Sequence, residues 1–240
     1  MIPVLRDRRA RIALIVLFLV ALVVTFPMRL AFGLLGLDKT GIAARDISGS
    51  IWMGRIEKLK VANVDVGTVA AGLSPVQLLV GRARLDVGRR MGLPDDLRGA
   101  IGMTANSFGV DDVTTILPLG GLLAPMPVRA VDLSDVSVRF DHGRCTNAEG
   151  RVKMQIGAVI PGLSLTQGLS GDAICAGGEL LLPLASQSGM EQLAIHITAD
   201  GRYRAAFTVR TPDAAAATAL TAAGFSASGG TLTLKLTGSL

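Results

Sequence analysis

The two cysteines, Cys145 and Cys175, are the residues whose chemistry depends most on the compartment in which the chain lies. Each stands beside a predicted strand end rich in glycine and polar residues. In an oxidising compartment, a pair at this separation is typical of a disulfide, which the loop-entropy treatment values at about 3.5 kcal/mol. The alternative is two separate buried thiols. A zinc site is not expected, because the sequence has no Cys-x-x-Cys motif and has only two histidines.

The two histidines, His142 and His196, are the candidates for acid–base catalysis. His196 lies within the alternating apolar residues 193–197, which places it on the opposite, solvated face of a strand. His142 follows Asp141 in a predicted hairpin turn, where adjacent side chains seldom face each other. The sequence contains no nucleophile elbow, HExxH motif, phosphate-binding glycine loop or EF-hand. We therefore predict that the protein is not an enzyme and has no catalytic, cofactor-binding or metal-binding residues.

Several other charged residues are most simply interpreted as solvated. The acid pairs 95–96 and 111–112 fit loops or helix starts, where carboxylates act as caps. Arg82 and Arg84 alternate with apolar residues, which indicates the wet face of a strand. Gly81 before them permits a turn into that strand.

Trp52 is the single tryptophan of the chain and lies between Gly49 and Gly54. Few other aromatic side chains follow it, so leucine, valine and alanine must fill most of the interior. We expect Trp52 to be a structural anchor packed under a sheet. The alternative is a contact with a partner protein.

The N-terminal region has the pattern of a membrane anchor. Residues 12–28 carry no charge, and apolar residues continue past Arg29, whose long side chain can reach the headgroups. The positive-inside rule assigns residues 1–11 to a cytoplasmic basic tail, 12–35 to a transmembrane anchor and 36–240 to a domain on the outer side of that membrane. The arginines before the apolar run are Arg6, Arg8, Arg9 and Arg11.

A cleaved signal peptide is the alternative interpretation of this region, since it also has a basic start followed by an apolar run. The sequence Thr-Phe-Pro-Met-Arg at the exit of the run offers no small-x-small cleavage site. We therefore expect an uncleaved anchor that crosses the membrane in a single pass. Both interpretations place the remaining chain in the same compartment.

The body is predicted to be mainly β, because short segments of alternating apolar residues recur between glycine, asparagine and aspartate. Short turns between consecutive strands favour an antiparallel meander. With few aromatic residues, we expect an elongated, strongly twisted sheet with a shallow core, which could leave an apolar groove for lipid. Short helices are predicted at 75–80, 111–117 and 212–223, the last capped by Thr211.

The distribution of charge argues against nucleic-acid binding. The chain has a net charge of +5, of which residues 1–30 hold five arginines and one aspartate, or 5 − 1 = +4. The remaining chain has 19 basic and 18 acidic residues and so carries +1. The body therefore has no excess of positive charge with which to neutralise phosphates.

Five stretches of the chain together resemble the general secretion pathway protein N family of bacterial type II secretion systems. They share the order of an anchor, a Gly-Ser-Ile-Trp-x-Gly element, a Pro-x-x-Leu-Leu-x-Gly-Arg element and a terminal strand. One departure is residues 69–73, where the family often has a tryptophan. The stretches are residues 26–30 (FPMRL), 47–61 (ISGSIWMGRIEKLKV), 67–87 (GTVAAGLSPVQLLVGRARLDV), 200–209 (DGRYRAAFTV) and 231–240 (TLTLKLTGSL).

The resemblance implies a non-enzymatic inner-membrane protein with a periplasmic β-rich domain that supports export of folded proteins across the outer membrane. Its partners would be other subunits of the secretion system, in the inner-membrane platform or the secretin. The alternative is an envelope protein of the AsmA-like kind that handles lipids or acts as a scaffold, since the Trp-Gly and Pro-Leu-Leu elements also occur there. The coupling subunit, protein C, fits less well because the ten prolines are dispersed and no heptads are present.

Overall fold

The described residues of the computed structural model form sixteen strands that pair antiparallel in one sheet. The spatial order follows the chain order almost throughout, with β2 lying beside β3 and β11 beside β12. This open meander confirms the predicted mainly-β, antiparallel fold with few helices. The structure describes residues 8–34, 42–61, 64–89, 97–119, 128–157, 165 and 167–239.

Strand lengths range from two residues at the first edge to fourteen in the middle of the sheet. The strands are β1 (Ile42–Ala43), β2 (Asp46–Ser50), β3 (Met53–Val61), β4 (Val64–Leu73), β5 (Ala83–Gly88), β6 (Arg98–Met103), β7 (Ser107–Pro118), β8 (Val128–Asp141), β9 (Arg144–Ile156), β10 (Leu169–Asp172), β11 (Ile174–Ala176), β12 (Glu179–Ala185), β13 (Glu191–Ile197), β14 (Arg202–Val209), β15 (Ser226–Ser228) and β16 (Thr231–Ser239). The helices are α1 (Arg8–Val24), α2 (Met28–Leu34), α3 (Pro75–Leu79) and α4 (Ala214–Ala222).

The tight turns lie where the sequence predicts them. The β8–β9 hairpin turns at His142 and Gly143, whose φ angles of 47° and 75° give the two-residue turn that matches strand twist. The β13–β14 hairpin turns before Arg202, with Gly201 at a φ of 80°. Glycine adopts that conformation without steric cost, which explains its place after Asp200.

The apolar residues pack into two clusters on the sheet. The larger cluster lies on strands β8 to β16 and beneath α4, where Leu184, Leu193 and Leu220 are each 1% exposed. The smaller cluster lies on β3 and β4 and includes Met28 of α2. Between the clusters, strands β5 to β7 have little cover: Ile101 of β6 is 47% exposed although it shares a face with buried Val138 of β8.

The predicted helix at 111–117 is wrong, because these residues belong to β7. Val113, Thr115 and Ile116 are β-branched and fit a pleated strand, and β7 pairs with β6 and β8 on its two sides. The acids of the Asp111–Asp112 pair lie at a bulge in this strand, not at a helix start.

The other two predicted helices form, with corrections at their first residues. Ser74 holds the N-cap position of α3, but its side chain makes no capping hydrogen bond. In α4 the cap is Asp213 and not Thr211: the Asp213 carboxylate accepts a hydrogen bond from the backbone N–H of Ala215.

The N-terminal apolar region is divided into two helices. Within the described residues, no helix has both the length and the apolar character needed to cross a membrane. The expected continuous helix over residues 12–35 is therefore not found. The chain turns at Pro27, whose ring cannot continue α1, and α2 then packs Met28 against the sheet. Arg6 and Leu35, at the two ends of the predicted region, lie outside the described residues.

Candidate functional site

The turn between β2 and β3 joins α1 to the sheet. Trp52 lies in this turn, and its Nε1–H donates a hydrogen bond to the carbonyl oxygen of Val23, 3.0 Å away near the end of α1. The backbone N–H of Ile51 donates to the carbonyl oxygen of Phe26 at 3.0 Å. The Val23 carbonyl also accepts a hydrogen bond from the backbone N–H of Phe26 at 3.4 Å. Trp52 is half-buried, and neither apolar cluster of the described residues includes it.

Met28 and Gly54 explain why two of the quoted sequence elements occur together. A Cβ atom at Gly54 would lie 2.0 Å from Sδ of Met28, so the absence of a side chain at Gly54 leaves the space that the methionine occupies. Met28 is 7% exposed and belongs to the smaller apolar cluster. The Phe-Pro-Met element and the Trp-x-Gly element are thus two halves of one contact. Whether Trp52 also contacts a partner stays a prediction.

Helix α3 lies beside the same junction. The backbone N–H of Leu73, two residues before α3, donates to the carbonyl oxygen of Ile51 at 2.8 Å. The N–H of Ser74 donates to the carbonyl oxygen of Arg84 at 2.9 Å, which fixes α3 against β5. Gly81 at a φ of 75° turns the chain from α3 into that strand, as the sequence predicts.

Three arginines converge on one aspartate on the polar face of β5 to β8. Arg82 Nη2 lies 2.5 Å and Arg84 Nη1 lies 3.1 Å from Oδ2 of Asp111. Arg139 Nη2 approaches Oδ1 of the same carboxylate at 3.3 Å. The Asp111 side chain is 17% exposed, so this group, which we call the arginine cluster, is partly shielded from water.

Two glycines make the arginine cluster possible. The strand register aligns Arg84, Gly102, Gly109 and Arg139 in one row across β5 to β8, on one face of the sheet. A Cβ atom at Gly102 would lie 2.8 Å from Nη2 of Arg82, so a larger residue would displace that guanidinium. Gly102 thus leaves room for the Arg82 side chain. A Cβ atom at Gly109 would lie 2.1 Å from the carbonyl oxygen of Val138, so this glycine permits the close approach of β8, the strand that carries Arg139.

The electrostatics of the arginine cluster are dominated by pairing. A hydrogen bond to Asp86 raises the pKa of the Arg84 guanidinium; burial opposes this, and the charges of Asp86, Asp111 and Asp112 raise it further. Arg82 and Arg84 were expected on a wet face, but their side chains are 24% and 27% exposed and are paired. The sequence interpretation also missed Asp111, because its partners lie 27 to 29 residues away along the chain.

The two cysteines are bonded in the structure, with Cα atoms 5.5 Å apart. The bond joins Cys145, at the start of β9, to Cys175 in the short strand β11. Cys145 is 7% exposed and packs in the larger apolar cluster. That the bond forms in the compartment where the protein resides stays a prediction.

The histidines are ordinary strand and turn residues by geometry. Contrary to expectation, His142 does face its neighbour: Nδ1 lies 3.1 Å from Oδ1 of Asp141, with the two side chains 70% and 46% exposed. His196 Nδ1 lies 3.2 Å from Oε2 of Glu179 without forming a hydrogen bond, and Arg204 holds that oxygen at 2.6 Å.

Among the described contacts, neither His142 nor His196 has a side-chain hydrogen bond or ion pair with a serine, threonine or cysteine. Within the described ranges, no three His, Cys, Asp or Glu side chains are grouped so as to hold a metal ion. The acid pair 95–96 lies outside the described residues.

The described residues define a class of protein by their architecture: an open, antiparallel β-meander with a few short helices. The sequence matches the model of the family described as type II secretion system (T2SS), protein N, over residues 40–235, and the chain belongs to this family. The match confirms the resemblance based on the quoted stretches.

Membership makes the chain a component of a type II secretion system. It also implies an association with the cell envelope and with other subunits of that system. No curated protein and no solved structure matches the chain.

Proposed function

We propose that the protein is a non-enzymatic, inner-membrane subunit of the type II secretion system that supports the export of folded proteins across the outer membrane. The family match over residues 40–235 is the observation that carries this proposal. The structure supports it through an open sheet, because the edges of such a sheet suit contact with other proteins. The arginines of the arginine cluster pair with Asp111, as charged groups do in a structural network.

The location in the inner membrane is part of the proposal. Every large apolar side chain of α1 from Ile12 to Val24 is between 46% and 65% exposed, which is unfavourable in water. Arginines at the start of α1 favour the cytoplasmic side for residues 1–11 and the periplasmic side for residues 36–240. The bonded cysteines fit an oxidising periplasm.

The edges of the sheet are the proposed sites of contact with other subunits. Among the described strands, β2 pairs with β3 and with no other strand. Its last residue, Ser50, forms a bridge with Pro27, and the rest of its outer edge offers backbone donors and acceptors. At the other end, β15 covers β16 along Thr231–Thr233, and from Leu234 onward β16 pairs with β14 alone. A partner strand could add to either edge.

Crosslinking would test the edge proposal. A photoreactive amino acid at Ser48 of β2 or at Thr237 of β16, both exposed, should crosslink to a platform subunit or the secretin. The same group at exposed Ser134, in the middle of the sheet, is the matched control. Crosslinks from position 134 and from neither edge would contradict strand addition.

The secretion role itself is tested by deleting the gene in the source bacterium and complementing it with the intact chain. We expect the deletion to lower the amount of extracellular enzymes in the medium, or to alter assembly of the machine, and leave envelope lipids unchanged. Complementation should restore secretion. Normal secretion together with an altered phospholipid or lipopolysaccharide composition would overturn the proposal.

A lipid-handling protein is the second candidate function, favoured by the uncovered apolar face of β6 and β7. Met103 and Phe108 are 57% and 41% exposed there, beside the stacked ring of Phe140. Such a strip could hold acyl chains. Stoichiometric phospholipid bound to the purified protein would favour this function.

A further inference from the structure

A set of exposed apolar side chains surrounds the junction between α1 and the sheet. They come from α2, from the first residue of β3 and from α3 with the residue after it. Exposure ranges from 56% to 88% of each side chain, which is unusual for leucine, valine and methionine. We call this set the junction patch: Leu30, Leu34, Met53, Val76, Leu79 and Val80.

Backbone hydrogen bonds hold the three segments of the junction patch together. Ile51 N–H bonds to the carbonyl of Phe26, just before α2, and the Ile51 carbonyl accepts from Leu73 N–H, just before α3. Trp52, which lies between Ile51 and Met53 in the chain, donates a hydrogen bond from its indole N–H to the last turn of α1. The junction patch therefore adjoins the apolar surface of α1 at the end where α1 meets the sheet.

The spacing within the junction patch is that of amphipathic helices. Leu30 and Leu34 are four residues apart on α2, whereas Met28 of the same helix is buried against the sheet. Leu79 and Val80 follow Val76 by three and four residues, so the three side chains project from the same side of α3. Helix α2 thus turns one side towards the sheet and an apolar side away from it, whereas α3 buries no residue and leaves its apolar side chains exposed.

We propose that the junction patch lies in the surface of the lipid bilayer and is a second membrane contact besides α1. The argument is continuity: the patch extends the exposed apolar surface of α1, and an apolar helix face buries well in the headgroup and acyl boundary. Exposed Arg29, beside Leu30, suits phosphate headgroups, and the half-buried indole of Trp52 suits the interface. The proposal rests on the inner-membrane location proposed above.

A consequence is a defined orientation of the sheet. A single helix would leave the sheet free to swivel on the membrane, whereas contacts at α2, Met53 and α3 fix the end of the sheet that carries the β2–β3 turn. The edge strand β2 then lies near the bilayer, where platform subunits reside. The junction patch would thus set which edge meets which partner.

Lipid-quenched fluorescence of the full chain tests the junction patch. Trp52 is the single tryptophan, so Trp52→Phe provides a dark background for one reporter at a time. Leu79→Trp and Val76→Trp place reporters in the patch. Met190→Trp, at a side chain 45% exposed before β13, is the control away from it. Each variant is reconstituted into vesicles of phosphatidylethanolamine and phosphatidylglycerol, with or without lipids brominated near the headgroup end of the acyl chains.

We expect both patch reporters to lose fluorescence about twofold in brominated vesicles, as for an interfacial helix, and the control to be unchanged. Patch reporters that behave as the control, in a protein that floats with the vesicles, would overturn the junction patch and leave the anchor intact. Equal quenching at all three positions would also overturn it. A protein that does not float with vesicles would contradict the inner-membrane location itself, together with the patch.

Discussion

Asp111 shows how one side chain can organise a face of the sheet. Its carboxylate contacts Arg82 from the β5 side of the sheet and Arg139 from β8. The next residue, Asp112, lies at a bulge with a φ of 51°. Asp111 lies two residues after Gly109, so ordinary strand alternation places its carboxylate on the face that carries Arg84 and Arg139. The pairing is close, and the guanidinium groups remain partly in water.

Replacing Asp111→Asn should destabilise the protein. It leaves three partly buried guanidinium groups without their common acceptor, and partial exposure reduces the cost below that of a fully buried pair. We expect the free energy of unfolding to fall by about 1–2 kcal/mol, measured by urea titration and circular dichroism.

Asp112→Asn is the matched control for this change. Asp112 is exposed, none of its hydrogen bonds given by the structure involves an arginine, and asparagine tolerates its positive φ. Its effect should stay below about 0.5 kcal/mol. Equal effects of the two substitutions would contradict the assigned role of Asp111.

Asp200 gives the β13–β14 hairpin a dependence on pH. A hydrogen bond from the hydroxyl of Thr198, followed by the contact with Arg202 at 2.6 Å, lowers the pKa of the Asp200 carboxyl in the folded state. A group with a lowered pKa contributes its stability above the pKa of the unfolded state and loses it as the pH falls through the folded value. We expect the hairpin to weaken in acid, below the ordinary aspartate range.

The measurement is the unfolding free energy of the intact chain and of Asp200→Asn at neutral pH and at about pH 3, near the bottom of that range. The intact chain should be the more stable of the two at neutral pH, and the difference should shrink in acid. A carboxyl titration by NMR should place the midpoint of Asp200 below that of a free aspartate. A difference that grows in acid would contradict the assigned hydrogen bonds.

At the scale of elements, the disulfide links a long strand to a short one. The strand β11 has three residues and pairs with β12 alone among the described strands, so the bond to β9 adds a covalent tie to a weakly held piece. Replacing both cysteines by serine should lower the free energy of unfolding by about 3.5 kcal/mol for a separation of 30 residues.

Reduction of the intact chain is the matched condition, because it opens the same bond without changing the side chains otherwise. We expect reductant to lower the stability of the intact chain and leave the double serine variant unchanged. Thiols that react with an alkylating reagent in protein taken directly from the envelope, without reductant, would show that the bond does not form there.

The strands and short helices could largely be predicted from local pattern. The alternation around residues 193–209 predicts the β13–β14 hairpin, and the proline and glycine around α3 predict both its start and its exit. The prediction from local pattern was wrong at 111–117. The acids there resemble a helix start, but the β-branched residues after them favour a strand. The prediction from local pattern also failed at Pro27, because a long apolar run conceals a break that packing of Met28 reinforces.

The candidate sites were less accessible from sequence, for a physical reason. The contacts among Arg82, Gly102 and Asp111 can be recognised once the register of β5, β6 and β7 is known, and a bulge in β7 shifts its pairing with both β6 and β8. In the same way, the contact between Met28 and Gly54 depends on the chain turning at Pro27. Neither contact leaves a periodic signal in the sequence.

At the scale of the whole molecule, the chain is an open sheet with an apolar helix junction at one end of the strand order and a packed, disulfide-linked half at the other. The packed half contains the fully buried leucines and should be the more stable unit in hydrogen exchange. The first strands, β1 and β2, have fewer neighbours, and β2 carries one of the two edges proposed for partners. The other proposed edge, on β16, belongs to the packed half.

The most direct test of the central claim is affinity purification of the full chain from gently solubilised membranes, with mass spectrometry of proteins and lipids in one sample. The account predicts that secretin or inner-membrane platform subunits are recovered, with lipid at the level of a control membrane protein. Stoichiometric lipid without any secretion subunit would contradict the account and favour an envelope lipid-handling protein.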